Sequence, residues 1–210
     1  IGLERVLDEP PTALRGGRFG LLMNQASVDS RWRYACDLLA ARWPGRLTTL
    51  FSPQHGLWGE QQANMIESGH GEYPPLGVPV YSLYSSTRRP TREMLAGLDC
   101  FVIDLQDVGT RIYTFVWTVL ECLWACAEIG LPVVVLDRPN PLGGEIVEGP
   151  LLDPAYRSFV GNAAIPLRHA LTLGELAQLL NAEEAIGCDL QVVPMWGWRR
   201  SMFWHETGRT

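Results

Sequence analysis

The chain alternates short apolar runs with longer mixed stretches, and each apolar run stops on polar residues. Phe19 to Met23 runs into Asn24-Gln25, Leu47 to Phe51 into Ser52-Pro53-Gln54-His55-Gly56, and Val78 to Leu83 into Tyr84-Ser85. Cys100 to Ile103 runs into Asp104-Leu105-Gln106-Asp107, and Val133 to Leu136 into Asp137-Arg138-Pro139-Asn140-Pro141. Short continuous runs of this kind fit strands buried on both faces. In an open parallel sheet all strand C-termini lie along one edge, and ligands bind in the crevice outside it. The pattern therefore predicts one polar site assembled from segments far apart in sequence.

Between the runs the pattern predicts helices. Asp29 or Ser30 is placed to cap a helix from Arg31 to about Arg42, which Pro44-Gly45 ends. Thr91 caps a short helix ending near Gly97. Ile112 to Ile129 reads as the main helix, closed by Gly130 with Pro132 beyond. Thr172-Leu173-Gly174-Glu175 is a capping box opening a helix to Asn181, and Asp189 to Val193 is a last strand. Ser52 to Gly77 reads as one long loop, functional or inserted. Pro79 lacks an N–H and marks its strand as an edge. Strands alternating with helices imply an α/β fold with a mostly parallel sheet and helices on both faces. Residues 1–144 read as a complete domain. Residues 145–210 read as the beginning of a smaller second domain, cut short in a Trp-rich tail.

Composition narrows the function. The 210 residues carry a net charge of −6, which argues against a nucleic-acid partner because phosphate neutralisation needs a basic face. Arg88-Arg89 and Arg199-Arg200 are the only basic pairs and read as solvated surface. The five cysteines lack metal spacing and read as buried free thiols, which leans toward a reducing compartment. Ile112 to Ile129 carries Glu121 and Glu128, so it reads as a buried helix and not a membrane span. The chain opens at Ile1 without an initiator Met and reads as a mature or trimmed piece. No Gly-x-Gly-x-x-Gly, Walker loop, Gly-x-Ser-x-Gly elbow or zinc spacing is present, and no cofactor or metal is expected.

Several clusters are candidates for chemistry. Asp104 and Asp107 stand where carboxylates serve as acid, base or metal ligand; the alternative is that one caps the next helix. Thr110 and Arg111 are expected to begin the long helix, where backbone N–H groups and a guanidinium favour an anion; alternatively Arg111 pairs with Asp107. The two prolines around Arg138 and Asn140 stiffen that loop, either for a preorganised site or simply as a turn. His55 and Glu60 are titratable groups in the loop after Phe51. Trp58 beside them suits either sugar stacking or core packing. Trp196, Trp198, Phe203 and Trp204 fit carbohydrate binding or packing against the rest of a second domain.

These segments taken together resemble one family. The matching stretches are Asn24-Gln25, Phe51-Ser52-Pro53-Gln54-His55-Gly56, Pro79 to Tyr84, Arg88 to Thr91, Asp104 to Arg111, Leu136 to Gly144, Val147 to Pro150, Phe159-Val160-Gly161 and Pro166 to His169. The chain is similar in all of them, in order, to the DUF1343 family, the exo-β-N-acetylmuramidases of the NamZ type. The resemblance implies a bacterial glycoside hydrolase of cell-wall recycling, exported or cytoplasmic. It would release terminal N-acetylmuramic acid from the non-reducing end of peptidoglycan fragments. It also implies a Rossmann-like N-terminal domain, a smaller C-terminal domain and a cleft between them. One position departs: the family usually has Ser-Pro-Glu-His-Gly, with Glu as the favoured acid, and this chain has Gln54. Two carboxyl groups are normally needed. Glu60 and either Asp104 or Asp107 are the expected substitutes, with Gln54 and His55 beside them. Alternatively, the chain binds muropeptides without cleaving them. Arg111 or Arg138 is expected to hold the lactyl carboxylate. Asn24, Gln25, Tyr84 and Asn140 are expected as hydroxyl or acetamido contacts, with Asp137 in the same binding set.

Overall fold

The computed structural model describes residues 1–61 and 66–209. Residues 62–65, within the long expected loop, and Thr210, at the end of the tail, lie outside the described residues. The strands are β1 Phe19–Met23, β2 Leu47–Ser52, β3 Gly71–Tyr73, β4 Val78–Ser82, β5 Cys100–Asp104, β6 Val133–Leu136 and β7 Leu190–Val193. The helices are α1 Gly2–Asp8, α2 Ala35–Arg42, α3 Arg92–Leu95, α4 Phe115–Ala127 and α5 Leu173–Glu183.

All seven strands form one sheet in the order β3-β4-β2-β1-β5-β6-β7, parallel except for β3 against β4. Side-chain alternation divides the core. Leu22, Phe51, Phe101, Ile103, Val133 and Val135 pack on the face covered by α3, α4 and α5. Phe19, Leu21, Met23, Val102, Val134 and Leu136 pack on the face covered by α1 and α2. Buried on both sides, β1 and β6 are apolar throughout, and β5 is apolar up to its last residue, Asp104. The chain builds outward from β1 to β2 and β4, then returns to β5 on the other side of β1. The β1–β5 junction is therefore the topological switch point, where the diverging connections open a crevice.

The α/β class with a mostly parallel sheet and helices on both faces is what the pattern implied. Several expectations change. The boundary at Gly144 does not divide the sheet: beyond it, α5 and β7 join the same architecture, with β7 parallel to β6 and α5 on the α4 face. The β4 strand is not an edge, because β3, inside the expected loop, covers it and sets Glu72 opposite Pro79. The first helix, α1, was not visible as an apolar run. It docks through Gly2, whose N–H donates to Asp137 O at 2.8 Å and where a Cβ would collide with the β6 end. The α2 helix begins at Ala35, not Arg31, because residues 28–34 form a loop around Asp29. The α4 helix begins at Phe115, so Arg111 lies before it, not at its N-terminus.

The five cysteines are buried and free. Burial pushes the Cys36 and Cys100 thiols up to about 12, which suits packing and not nucleophilic chemistry. No helix among the described residues is long and apolar enough to cross a membrane.

Candidate active site

The edge at the switch point is built first from a buried ion pair. Asp104, the last residue of β5, is fully buried, and Arg138 just past β6 is nearly so. Arg138 Nε donates to Asp104 Oδ1 at 2.6 Å, and Nη2 to Oδ2 at 2.7 Å. Nη2 also reaches Val28 O at 3.1 Å. Ser27 Oγ donates to the Asp104 carbonyl, and Asn24 N donates to Ser27 Oγ at 3.0 Å. The β1, β5 and β6 ends are thereby tied together, and Asn24 is buried within that tie.

Over this tie lies a cavity of about 170 Å³. Its walls come from the segment after β1 (Gln25, Ala26, Val28, Asp29, Ser30, Trp32), from Gln106 and Arg138, and from Trp204, Gly208 and Arg209. It lies along the strand edge to which the polar stops pointed, at the ends of β1, β5 and β6. Gln25 lies over Gly59, so the β2 loop borders it.

That loop holds Gln54, His55 and Glu60. Gln54 is buried, and its Oε1 accepts from Thr114 Oγ1 at 2.9 Å. His55 takes φ +77, and its Nδ1 lies 2.7 Å from Gln61 O. Glu60 is exposed and folds back on its own loop, where Oε2 accepts from Trp58 N at 2.9 Å. Gly56 at φ +84 makes room for this, since a Cβ there would collide with the Glu60 carboxylate. Trp58 packs against Tyr34 and Tyr73, with centroids at 4.7 and 5.8 Å, and leaves part of its ring in solvent.

The remaining candidates are mostly committed to holding the scaffold. Asp137 Oδ1 accepts from Gly174 N and Arg138 N, and its Oδ2 from Thr172 Oγ1 at 2.8 Å. Burial pushes its carboxyl above the usual aspartate range, against those three hydrogen bonds. Asn140 Nδ2 donates to Leu171 O, and its Oδ1 accepts from Leu142 N. Tyr84 is buried under the Arg88 guanidinium, 3.7 Å from its ring centroid. Arg111 donates through Nη1 to Pro150 O and Ile165 O, so it clamps the loop beyond β6. Neither Asp104 nor Asp107 caps α4. Asp107 Oδ2 accepts from Gly109 N at 2.7 Å and lies 3.3 Å from His169 Nε2, while Oδ1 is buried without a partner among the described residues. Leu171 N donates to His169 Nδ1 at 3.2 Å, which leaves Nε2 facing Asp107.

A model of the N-terminal part of the exo-β-N-acetylmuramidase NamZ matches residues 19–210. The chain belongs to the NamZ family. It is 46% identical over 206 residues to the peptidoglycan β-N-acetylmuramidase NamZ of Bacillus subtilis (strain 168), covering 98% of this chain and 50% of that protein. Two crystal structures of DUF1343 family proteins from Bacteroides fragilis NCTC 9343 share the fold. One has a TM-score of 0.90 at 39% identity, covering 99% of this chain and 53% of that one. The other has a TM-score of 0.80 at 31% identity, covering 97% and 54%. The chain thus spans about half the length of these NamZ-family relatives.

Sequence reasoning did not place Trp32, Asp29, Arg209, Thr114 or His169 at the site. Trp32 and Arg209 stand outside any strand end, and only the tertiary fold brings them to the cavity. His169 sat in the Pro166 to His169 family segment, which was the available signal.

Proposed function

We propose that this chain is the Rossmann-like half of an exo-acting β-N-acetylmuramidase that removes terminal N-acetylmuramic acid from the non-reducing end of peptidoglycan fragments. The observation that carries the reading is the 46% identity, over nearly the whole chain, to an enzyme named for that activity. The cavity at the switch point supports it: Trp32 and Trp204 offer ring faces, and Gln25, Arg138 and Arg209 offer donors for hydroxyl, acetamido or carboxylate groups.

Glycoside hydrolysis uses one carboxyl to protonate the leaving oxygen and a second as nucleophile or base. An amide at Gln54 has no titratable proton to give. Asp104 is paired with Arg138, and both Asp137 oxygens accept hydrogen bonds from the start of α5. In this reading Glu60, exposed and with Oε1 unengaged among the described residues, takes the acid role. Asp107, which keeps one oxygen uncommitted, is the second carboxyl. Release of chromophore from a β-N-acetylmuraminide, abolished in Glu60→Gln, is the expected result. Release that survives Glu60→Gln would remove Glu60 from the mechanism.

A second reading, a muramyl-sugar-binding relative without hydrolysis, is favoured by Gln54 alone. Tight binding of N-acetylmuramic acid with no release from the chromogenic substrate would select it.

A further inference from the structure

Trp32 combines a constrained backbone with an exposed aromatic ring. It sits at φ +61, a region that side-chain-bearing residues enter only under constraint. It is also 64% exposed, so packing against the described residues does not repay that conformation. The conformation is nevertheless imposed. Buried Asp29 accepts from Arg31 N and Arg33 N through Oδ1, both at 2.9 Å, and from Arg33 Nε through Oδ2 at 2.8 Å. Trp32 N donates to Asp29 O at 3.2 Å, and Asp29 N to Arg33 O at 3.0 Å. Five hydrogen bonds around one carboxylate residue thus hold a strained, solvent-facing indole on the wall of the switch-point cavity.

The chemistry of that cavity indicates its ligand. Its charges are already balanced: Arg138 by Asp104, Arg209 by Glu4 and Asp29 by Arg33. Arg138 Nη1 makes no hydrogen bond among the described residues, whereas Nε and Nη2 are both engaged. Two indoles and a neutralised donor suit a ring with one C–H face and polar rim groups. They suit a free anion or a wholly apolar ligand less well.

We propose that Trp32 is a preset stacking platform for the pyranose ring of an N-acetylated sugar, with Asp29 as its positioning residue. The inference deepens the proposed function and rests on it for the identity of the sugar. An aromatic face held in a strained conformation on a cavity wall suits a preorganised ligand contact.

The test is Trp32→Gly in the protein, read by thermal midpoint and by calorimetric titration with N-acetylmuramic acid and N-acetylglucosamine. Glycine adopts φ +61 without strain, so the midpoint is expected to hold or rise. Binding is expected to weaken by about tenfold or more, equivalent to about 1.4 kcal/mol, and Trp32→Phe should keep most of it. A midpoint that falls while affinity is unchanged would overturn the proposal, because Trp32 would then be covered by protein. Absence of binding by the wild type to either sugar would also overturn it. If the wild type binds but releases nothing from a chromogenic muraminide, the hydrolase reading fails and the platform stands. If it releases product and Trp32→Gly leaves KM unchanged, the platform alone fails.

Discussion

Arg138 grips Asp104 with two nearly parallel hydrogen bonds, Nε to Oδ1 at 2.6 Å and Nη2 to Oδ2 at 2.7 Å, beneath the floor of the switch-point cavity. Desolvating two charges costs several kcal/mol each, and a pair tolerates this only with geometry of this quality. The arrangement locks the β5 and β6 ends together and leaves Nη1 available above them.

Removing one partner is therefore expected to be severe. Arg138→Met strands the Asp104 carboxylate in the interior and should lower stability by about 3–5 kcal/mol in denaturant titrations. The double variant Asp104→Leu/Arg138→Met should recover much of that loss. Equal destabilisation in the single and double variants would show that the charge pair is not the source.

Asp29 gives a pH-dependent counterpart. Burial opposes its ionisation, but the hydrogen bonds from Arg33 and Arg31 outweigh this, and its carboxyl lies below the ordinary value of 3.8. A folded-state pKa below the unfolded one contributes stability that is fully present above the unfolded value and is lost as pH falls through the folded value. Acid titration of stability should therefore show a loss beginning below about pH 4, and Asp29→Asn should flatten that part of the curve. An unchanged acid limb in Asp29→Asn would contradict the assignment.

Gly109 tests the packing around the β5 loop. It adopts φ +83, and a Cβ there would collide with Asn140 Oδ1. Gly109→Ala should cost about 1–3 kcal/mol and loosen Asn140 from Leu171. Thermal melts measure the cost, and a melt unchanged from wild type would show that the loop yields freely.

Much of this fold was legible because its central strands are apolar on both faces and end abruptly. The α5 capping box is as readable: Thr172 Oγ1 accepts from Glu175 N, and Glu175 returns the bond to Thr172 N. What escaped depends on non-local contacts. Asp29 looked like a helix cap because it stands before an amphipathic stretch, yet its oxygens turn to Arg31 and Arg33 and close a loop instead. The three residues of β3 carry too little pattern to announce a strand. The β7 strand joins the first sheet only because its backbone meets β6, which the Gly- and Pro-rich stretch after Gly144 concealed. At the site, sequence located the polar edge but not its division of labour. Asp104 is committed to Arg138, Asp137 to the start of α5 and Asn140 to Leu171, and the cavity adds Trp32 and Arg209 to Gln25, Arg138 and Trp204.

Gln54 carries a chemical prediction. Thr114 Oγ1 donates to its Oε1, a bond that a carboxylate in the same place would accept equally well. Gln54→Glu should therefore fold normally and, with Glu60 and Asp107 filling the two carboxyl roles, change muraminide turnover little. Initial rates on a chromogenic muraminide measure this; a large gain would give the acid role to position 54 and take it from Glu60.

The proposed exo-β-N-acetylmuramidase activity is tested most directly by release of N-acetylmuramic acid from the non-reducing end of a defined peptidoglycan fragment, in the wild type and in Glu60→Gln. Release by the wild type and none by the variant is the expected result. A wild type that binds the fragment and releases no N-acetylmuramic acid would contradict it.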